Sequence, residues 1–182
     1  MLVVMRIIAV YCVDTEQKKY RHKSELNFLS FFNRSSVEEL LCEFALTASE
    51  SLDQNPERKI FVHHDTHLCC HRIDNVVAII ATDLEYPSRA SFELLQRVHD
   101  NTSDEHLATI LKQCQDPVTV DAILHTQRQL DETLVIMHEN VNKILQRGDH
   151  IDELVEKSAR LSDQSKAFYK AARKHNRCCS IQ

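Results

Sequence analysis

His67-Leu68-Cys69-Cys70-His71-Arg72-Ile73, followed at once by Val76-Val77-Ala78-Ile79-Ile80-Ala81-Thr82, is the stretch that decides the fold. Both runs are short, apolar or β-branched, and free of proline and glycine, so they read as strands. Asp74-Asn75 between them suits the short loop of a hairpin. Upstream, Ile60 to His64 reads as a further strand, and Ser36-Val37-Glu38-Glu39 has the form of a capping box that opens a helix to about Leu52. That helix keeps Val37, Leu40, Leu41, Phe44, Ala45 and Ala48 on one face by their three-and-four spacing, so it should lie on a sheet. At the N-terminus, Val3 to Val13 reads as a buried strand, with Gln17 to Lys23 pairing back through a turn at Asp14 to Glu16. Downstream, Pro87 suits the first turn of a helix to about Asp100 that presents Phe92, Leu94, Leu95 and Val98. Asn101 to Asp104 reads as a loop and His106 to Cys114 as a short helix. This order of elements predicts an α/β sandwich over about the first 100 residues.

Composition excludes several functions. The 182 residues contain one glycine, Gly148, so neither a Walker loop nor a dinucleotide fingerprint can be written. A net charge of -5 argues against a dedicated nucleic-acid binder. The longest uncharged apolar runs, Leu2 to Met5, Ile7 to Val13 and Val76 to Ala81, fall far short of the roughly 20 residues that span a bilayer. Arg6 interrupts the N-terminal run and no small-residue cleavage site follows, so neither a transmembrane helix nor a signal peptide is expected. Seven cysteines, an odd number, suit reduced thiols in the cytosol.

Asp116-Pro117 is a good helix start, and no proline appears from there to the C-terminus. A helix near 60 residues is too long for a compact domain of this size and predicts a coiled coil. Alternate steps of three and four give sixteen seats: Ile123, Thr126, Leu130, Thr133, Met137, Asn140, Ile144, Arg147, Ile151, Leu154, Ser158, Leu161, Ser165, Phe168, Ala172 and His175. Residues 117–177 carry nineteen formal charges, so about five should fall on these seats by chance. Only Arg147 does. It is either a surface residue or a buried arginine that sets register, since five donors are costly to bury without partner oxygens. The small seats Ser158, Ser165 and Ala172 favour a mixed bundle over a homodimeric zipper.

Cys179-Ser180-Ile181-Gln182 fits a prenylation box, and its final glutamine favours farnesyl. Lys166, Lys170, Arg173, Lys174 and Arg177 lie just upstream, with no acidic residue after Asp163. Such a basic stretch favours an anionic leaflet. One lipid chain anchors only marginally; palmitate on Cys178 would supply the second.

A long heptad helix with a central arginine, ending in a Cys-Cys-aliphatic box and attached to a small α/β domain, resembles the prenylated Ykt-type longin R-SNAREs, a synaptobrevin-like family. The resemblance covers nearly the whole chain and is specific in Phe31-Phe32-Asn33-Arg34-Ser35-Ser36-Val37, Asp83-Leu84-Glu85-Tyr86-Pro87-Ser88-Arg89, Gln129-Leu130-Asp131-Glu132-Thr133, Leu145-Gln146-Arg147-Gly148 and Gln164-Ser165-Lys166-Ala167-Phe168-Tyr169-Lys170. It implies a longin (profilin-like) domain over 1–102, with a five-stranded antiparallel-type sheet sandwiched by helices. A linker over 103–116, a coiled-coil R-SNARE motif over 117–177 and a lipidated tail over 178–182 would follow. Since that domain has five strands, Ile60 to His64 becomes an extension of, or an irregular approach to, the strand at His67.

The resemblance further implies that Arg147 is the zero-layer arginine, meeting a glutamine from each of three Q-SNARE helices in a parallel four-helix bundle. The apolar layers would be Ile123, Leu130, Met137, Ile144, Ile151, Leu154, Leu161, Phe168 and Ala172. Assembly would drive vesicle docking and fusion, with general SNARE disassembly machinery recycling the product. No catalytic residue, metal or cofactor is implied beyond farnesyl on Cys179 and palmitate on Cys178. The longin domain would also serve as a partner, folding the SNARE segment back in a closed form. Location would be the cytoplasm and the cytoplasmic face of Golgi, ER-derived and endosomal or vacuolar membranes, through peripheral lipid anchoring.

Rival readings are a prenylated tether without fusion activity and a zinc site built from His63, His64, His67, Cys69, Cys70 and His71. In a strand, His67, Cys69 and His71 share one face and Cys70 the other, which predicts packed cysteines and solvated histidines instead. A cysteine nucleophile among Cys12, Cys42, Cys69, Cys70 and Cys114 has no supporting spacing.

Overall fold

The computed structural model describes residues 6–53, 57–63, 66–116, 137–140 and 151–178. Its elements are β1 (Ile7–Asp14), β2 (Lys19–Ser24), α1 (Phe31–Ser51), β3 (Glu57–His63), β4 (Thr66–Ile73), β5 (Val76–Asp83), α2 (Ser88–Asp100), α3 (Asp104–Gln113), β6 (Met137–Asn140), α4 (Ile151–Lys157) and α5 (Asp163–Cys178). The sheet runs β2-β1-β5-β4-β3-β6, with the first five strands antiparallel and β6 parallel to β3.

The hairpin at Asp74-Asn75 forms as expected, with Asp74 at a φ of 51°, a left-handed conformation that a short polar side chain tolerates. At the other hairpin, Asp14 Oδ1 accepts from the amides of Glu16 at 3.1 Å and Gln17 at 2.8 Å. Arg72 ties these turns together: its guanidinium donates to Asp74 O, to Thr15 Oγ1 and to Leu52 O at the end of α1.

Strand alternation divides the core into two layers. Tyr11, Val13, Phe61, Leu68, Cys70, Val77 and Ile79 face α1, whereas Val10, Cys12, Ile60, Cys69, Ala78 and Ile80 face α2 and α3. A bulge between Ile7 and Ala9 lets Ile7 join the second layer although Ala9 faces the first. The result is the five-stranded longin sheet flanked by helices.

Four expectations change. The segment at Ile60 is a complete strand, paired with β4 from Glu57↔Arg72 to His63↔Thr66, and not an irregular approach. The capping box is not used: α1 starts at Phe31, and Ser36 lies buried within it. Arg34 secures this early start by donating to Leu29 O and Asn27 O of the preceding loop. The short helix expected at His106 to Cys114 forms as α3, but its Leu107, Ile110 and Leu111 are core residues, so the stretch expected as a linker over 103–116 is packed with the domain as far as Cys114.

The fourth concerns the heptad segment, which is not one continuous helix in this state. Met137–Asn140 is a strand, α4 ends at Lys157, and a turn through Ser158–Ser162 precedes α5. Heptad pattern supplies one apolar stripe, and from Ile151 to Phe168 that stripe is covered by the chain's own domain.

Candidate functional site

The site is the surface where the C-terminal segment lies on α1 and β3. At the sheet edge, β6 adds to β3 in parallel register, from Lys59↔Met137 to Val62↔Asn140. An unpaired strand edge presents a row of amides and carbonyls, and β6 satisfies part of it.

Beside it, Ile151, Val155 and Leu161 are buried in the layer that contains α1, while Leu154, Phe168 and Tyr169 pack partly against that layer. Ser158 and Ser165, the small seats, are also buried. Their size lets the segment approach α1 closely.

Polar contacts fix the register. Glu39 Oε2 accepts from the Ser162 amide at 2.9 Å and from Ser165 Oγ at 2.7 Å, so a carboxylate on α1 caps the N-terminus of α5. Burial pushes the Glu39 carboxyl up, but these hydrogen bonds outweigh it and hold the group below its usual range. Four residues on, Glu43 meets Arg160, with Nε 2.7 Å from Oε2 and Nη2 donating to Oε1 at 3.3 Å. Within the segment, Tyr169 Oη donates to Asp152 Oδ1 at 3.2 Å, and Asp152 also pairs with Arg173. Lys170 pairs with Glu156.

Toward the C-terminal half of α5 the contact opens into a cavity of about 170 Å³. Val37, Leu40, Leu41 and Phe44 of α1 line it, together with His63, Tyr169, Ala172 and Arg173.

Of the residues singled out in the sequence, the structure brings Ile151, Leu154, Leu161 and Phe168 onto α1, and places Ala172 at the cavity. Met137 enters β6. Ile123, Leu130, Ile144, Arg147 and Cys179 lie outside the described residues, and Cys178 is the last residue of α5. Val155, Glu39, Glu43 and Arg160 were not anticipated. Val155 falls off the heptad seats, Glu39 reads as part of a capping box on its own helix, and the only available signal for Glu43 is its place between Leu40, Leu41 and Phe44.

The candidate zinc set is divided by strand alternation. Cys69 faces α2 and Cys70 faces α1, and no group of three metal-ligating residues occurs among the described residues. One expectation about it is corrected: His71 is buried, not solvated, and packs edge-on against His99 with ring centroids 5.0 Å apart. Among the described residues no helix is long and apolar enough to cross a membrane.

Fold and segment together define a longin domain carrying a SNARE-type heptad motif. The Synaptobrevin family model matches residues 122–182. The chain is 35% identical to the synaptobrevin homologue ykt6 of Schizosaccharomyces pombe, over 87% of this chain and 88% of that protein. It is 33% identical to synaptobrevin homologue YKT6 of Saccharomyces cerevisiae, over 97% of this chain and the full length of that protein, and 30% identical to the Candida glabrata homologue. The chain belongs to the Ykt6-type R-SNAREs of the synaptobrevin family.

Proposed function

We propose that this R-SNARE works in vesicle trafficking by zipping residues 117–177 with three Q-SNARE helices into a parallel four-helix bundle, Arg147 forming its central polar layer. Farnesyl on Cys179 and palmitate on Cys178 would hold the C-terminal end at the cytoplasmic face of a membrane. Zipping from the Ile123 end then draws that membrane toward the one carrying the partners. The chain is non-enzymatic in this reading and is recycled by the general disassembly machinery. Its compartments would be the Golgi, ER-derived vesicles and endosomal or vacuolar membranes.

The folded-back state is the resting, autoinhibited form. The observation that carries this is the burial of Ile151 and Leu161 against α1 while Met137–Asn140 extends β3. A side chain buried on α1 cannot also face three partner helices, and a strand cannot supply a helical layer. Closing and assembly therefore compete for the same residues.

The test mixes the full chain with sets of glutamine-bearing SNARE helices and follows complex mass and helicity. A cooperative 1:1:1:1 complex, weakened by Arg147→Gln, is the expected result. If no set yields a complex, or Arg147→Gln leaves it unchanged, the segment is a tether and the proposal falls.

A further inference from the structure

The surface of α1 that receives the tail carries one fully buried charge, apart from the partly exposed Glu39 that caps α5. Glu43 follows Leu40 and Leu41 and precedes Phe44, and its side chain is only 2% exposed. A carboxylate so enclosed is tolerated only beside a cation or several donors. The cation is Arg160, 117 residues away, in the turn between α4 and α5. Its Nη2 donates to Oε1, whereas Oε2 has Nε at 2.7 Å without a well-directed hydrogen bond. The pair therefore combines one hydrogen bond with a close contact of opposite charges. Arg160 lies off the sixteen heptad seats, beside Leu161, so a helical bundle makes no use of it at its seam.

Hydrophobic burial is non-directional, and a purely apolar groove on α1 would accept any amphipathic helix of suitable length. A carboxylate within that groove changes the outcome, because an occupant without a matching cation leaves a desolvated charge. We infer that Glu43 is a specificity-determining residue of the α1 groove: it admits a heptad segment that brings arginine or lysine to its turn, as Arg160 does, and disfavours segments that bring an apolar residue there. The domain thereby distinguishes its own tail from other heptad helices. This rests on the folded-back state being the resting form.

The experiment follows amide hydrogen exchange of α5 in the full chain near pH 7, with the β5 amides as an internal check that the sheet stays folded. Glu43→Arg, Arg160→Glu and Arg160→Leu should each speed α5 exchange about tenfold or more, one partner of the pair being half-exposed. Arg160→Lys and the double swap Glu43→Arg with Arg160→Glu should return exchange to within a few-fold of the parent. Parent-like protection in Arg160→Leu, or a double swap as open as the single reversals, overturns the inference. Val155→Asp separates the two levels, since it buries a charge away from the pair. If Val155→Asp frees α5 and Arg160→Leu does not, the resting-form reading stands and the role of Glu43 fails. If Val155→Asp also leaves α5 exchange unchanged, the resting form is wrong and the inference falls with it.

Discussion

The Glu39 carboxylate lies 2.7 Å from the Ser165 hydroxyl, so one helix of the domain caps another that is 126 residues distant in sequence. The amide of Ser162 donates to the same oxygen. Helix N-termini favour negative charge because their first amides have no partner within the helix.

Glu39→Gln should loosen α5 by about 0.5–2 kcal/mol, the range for losing a charged or hydrogen-bonding cap. The pH dependence follows from direction. Glu39 is held below its ordinary value of 4.5 in the folded-back state, so its contribution is complete above that value and is lost as pH falls through the lower, folded-state value. Protection of the α5 amides, taken relative to their intrinsic exchange at each pH, should therefore fall more steeply in the parent than in Glu39→Gln as pH drops below 4.5. Identical profiles would show that this cap contributes nothing to closure.

The buried phenol of Tyr86 donates to the carbonyl of Cys114 at 2.7 Å and anchors the end of α3 beneath the sheet. Tyr86→Phe keeps the ring and leaves that carbonyl without this donor. A loss of about 1–2 kcal/mol in chemical denaturation is expected, with faster exchange confined first to α3.

Burial pushes His71 down to about 4, helped by the neighbouring His99 and Arg58. His99 is lowered by burial too, against the opposing bond to His71 O. An unfolded chain therefore binds more protons than the folded one between the ordinary histidine value of 6.5 and about 4. Stability from this pair is complete above 6.5 and declines as pH drops through that window. A thermal-melting series from pH 7 to 4 should show Tm falling, and His71→Leu should flatten the slope. An unchanged slope in His71→Leu would assign the acid loss to other groups.

Cys179→Ser should abolish prenylation and shift the protein into the soluble fraction of cells. Cys178→Ser should leave weak, reversible membrane association, because a single lipid chain anchors only marginally. Metabolic labelling with a farnesyl precursor measures the first effect directly. Label retained in Cys179→Ser would disprove the assigned lipid site.

Much of the architecture is legible in the sequence. Val76–Thr82 and His67–Ile73 are apolar on both faces because the sheet is covered by α1 on one side and by α2 and α3 on the other. Their length and the polar pair Asp74-Asn75 suffice to write the hairpin. Local signals misled where they were duplicated or weak. Ser36 has the chemistry of a cap, yet the chain is already helical from Phe31 because Arg34 holds the loop before it. Glu57-Arg58-Lys59 obscured the start of β3, since a charged run rarely marks a strand; pairing with β4 makes it one.

What sequence by itself determined about this protein is its inventory: an α/β domain, a segment whose apolar residues form one stripe, a single arginine on that stripe and a terminal cysteine box. Periodicity states that the stripe must be covered, because exposed apolar surface is unfavourable. It does not state by what. Tertiary structure decided that in this state α1 covers it from Ile151 to Phe168, while the free edge of β3 turns Met137–Asn140 into a strand and the helix breaks at Ser158–Ser162. Hydrogen bonds at a sheet edge and ion pairs such as Glu43–Arg160 join residues more than 70 positions apart. Such pairings exist only once the chain has folded, and no local pattern encodes them.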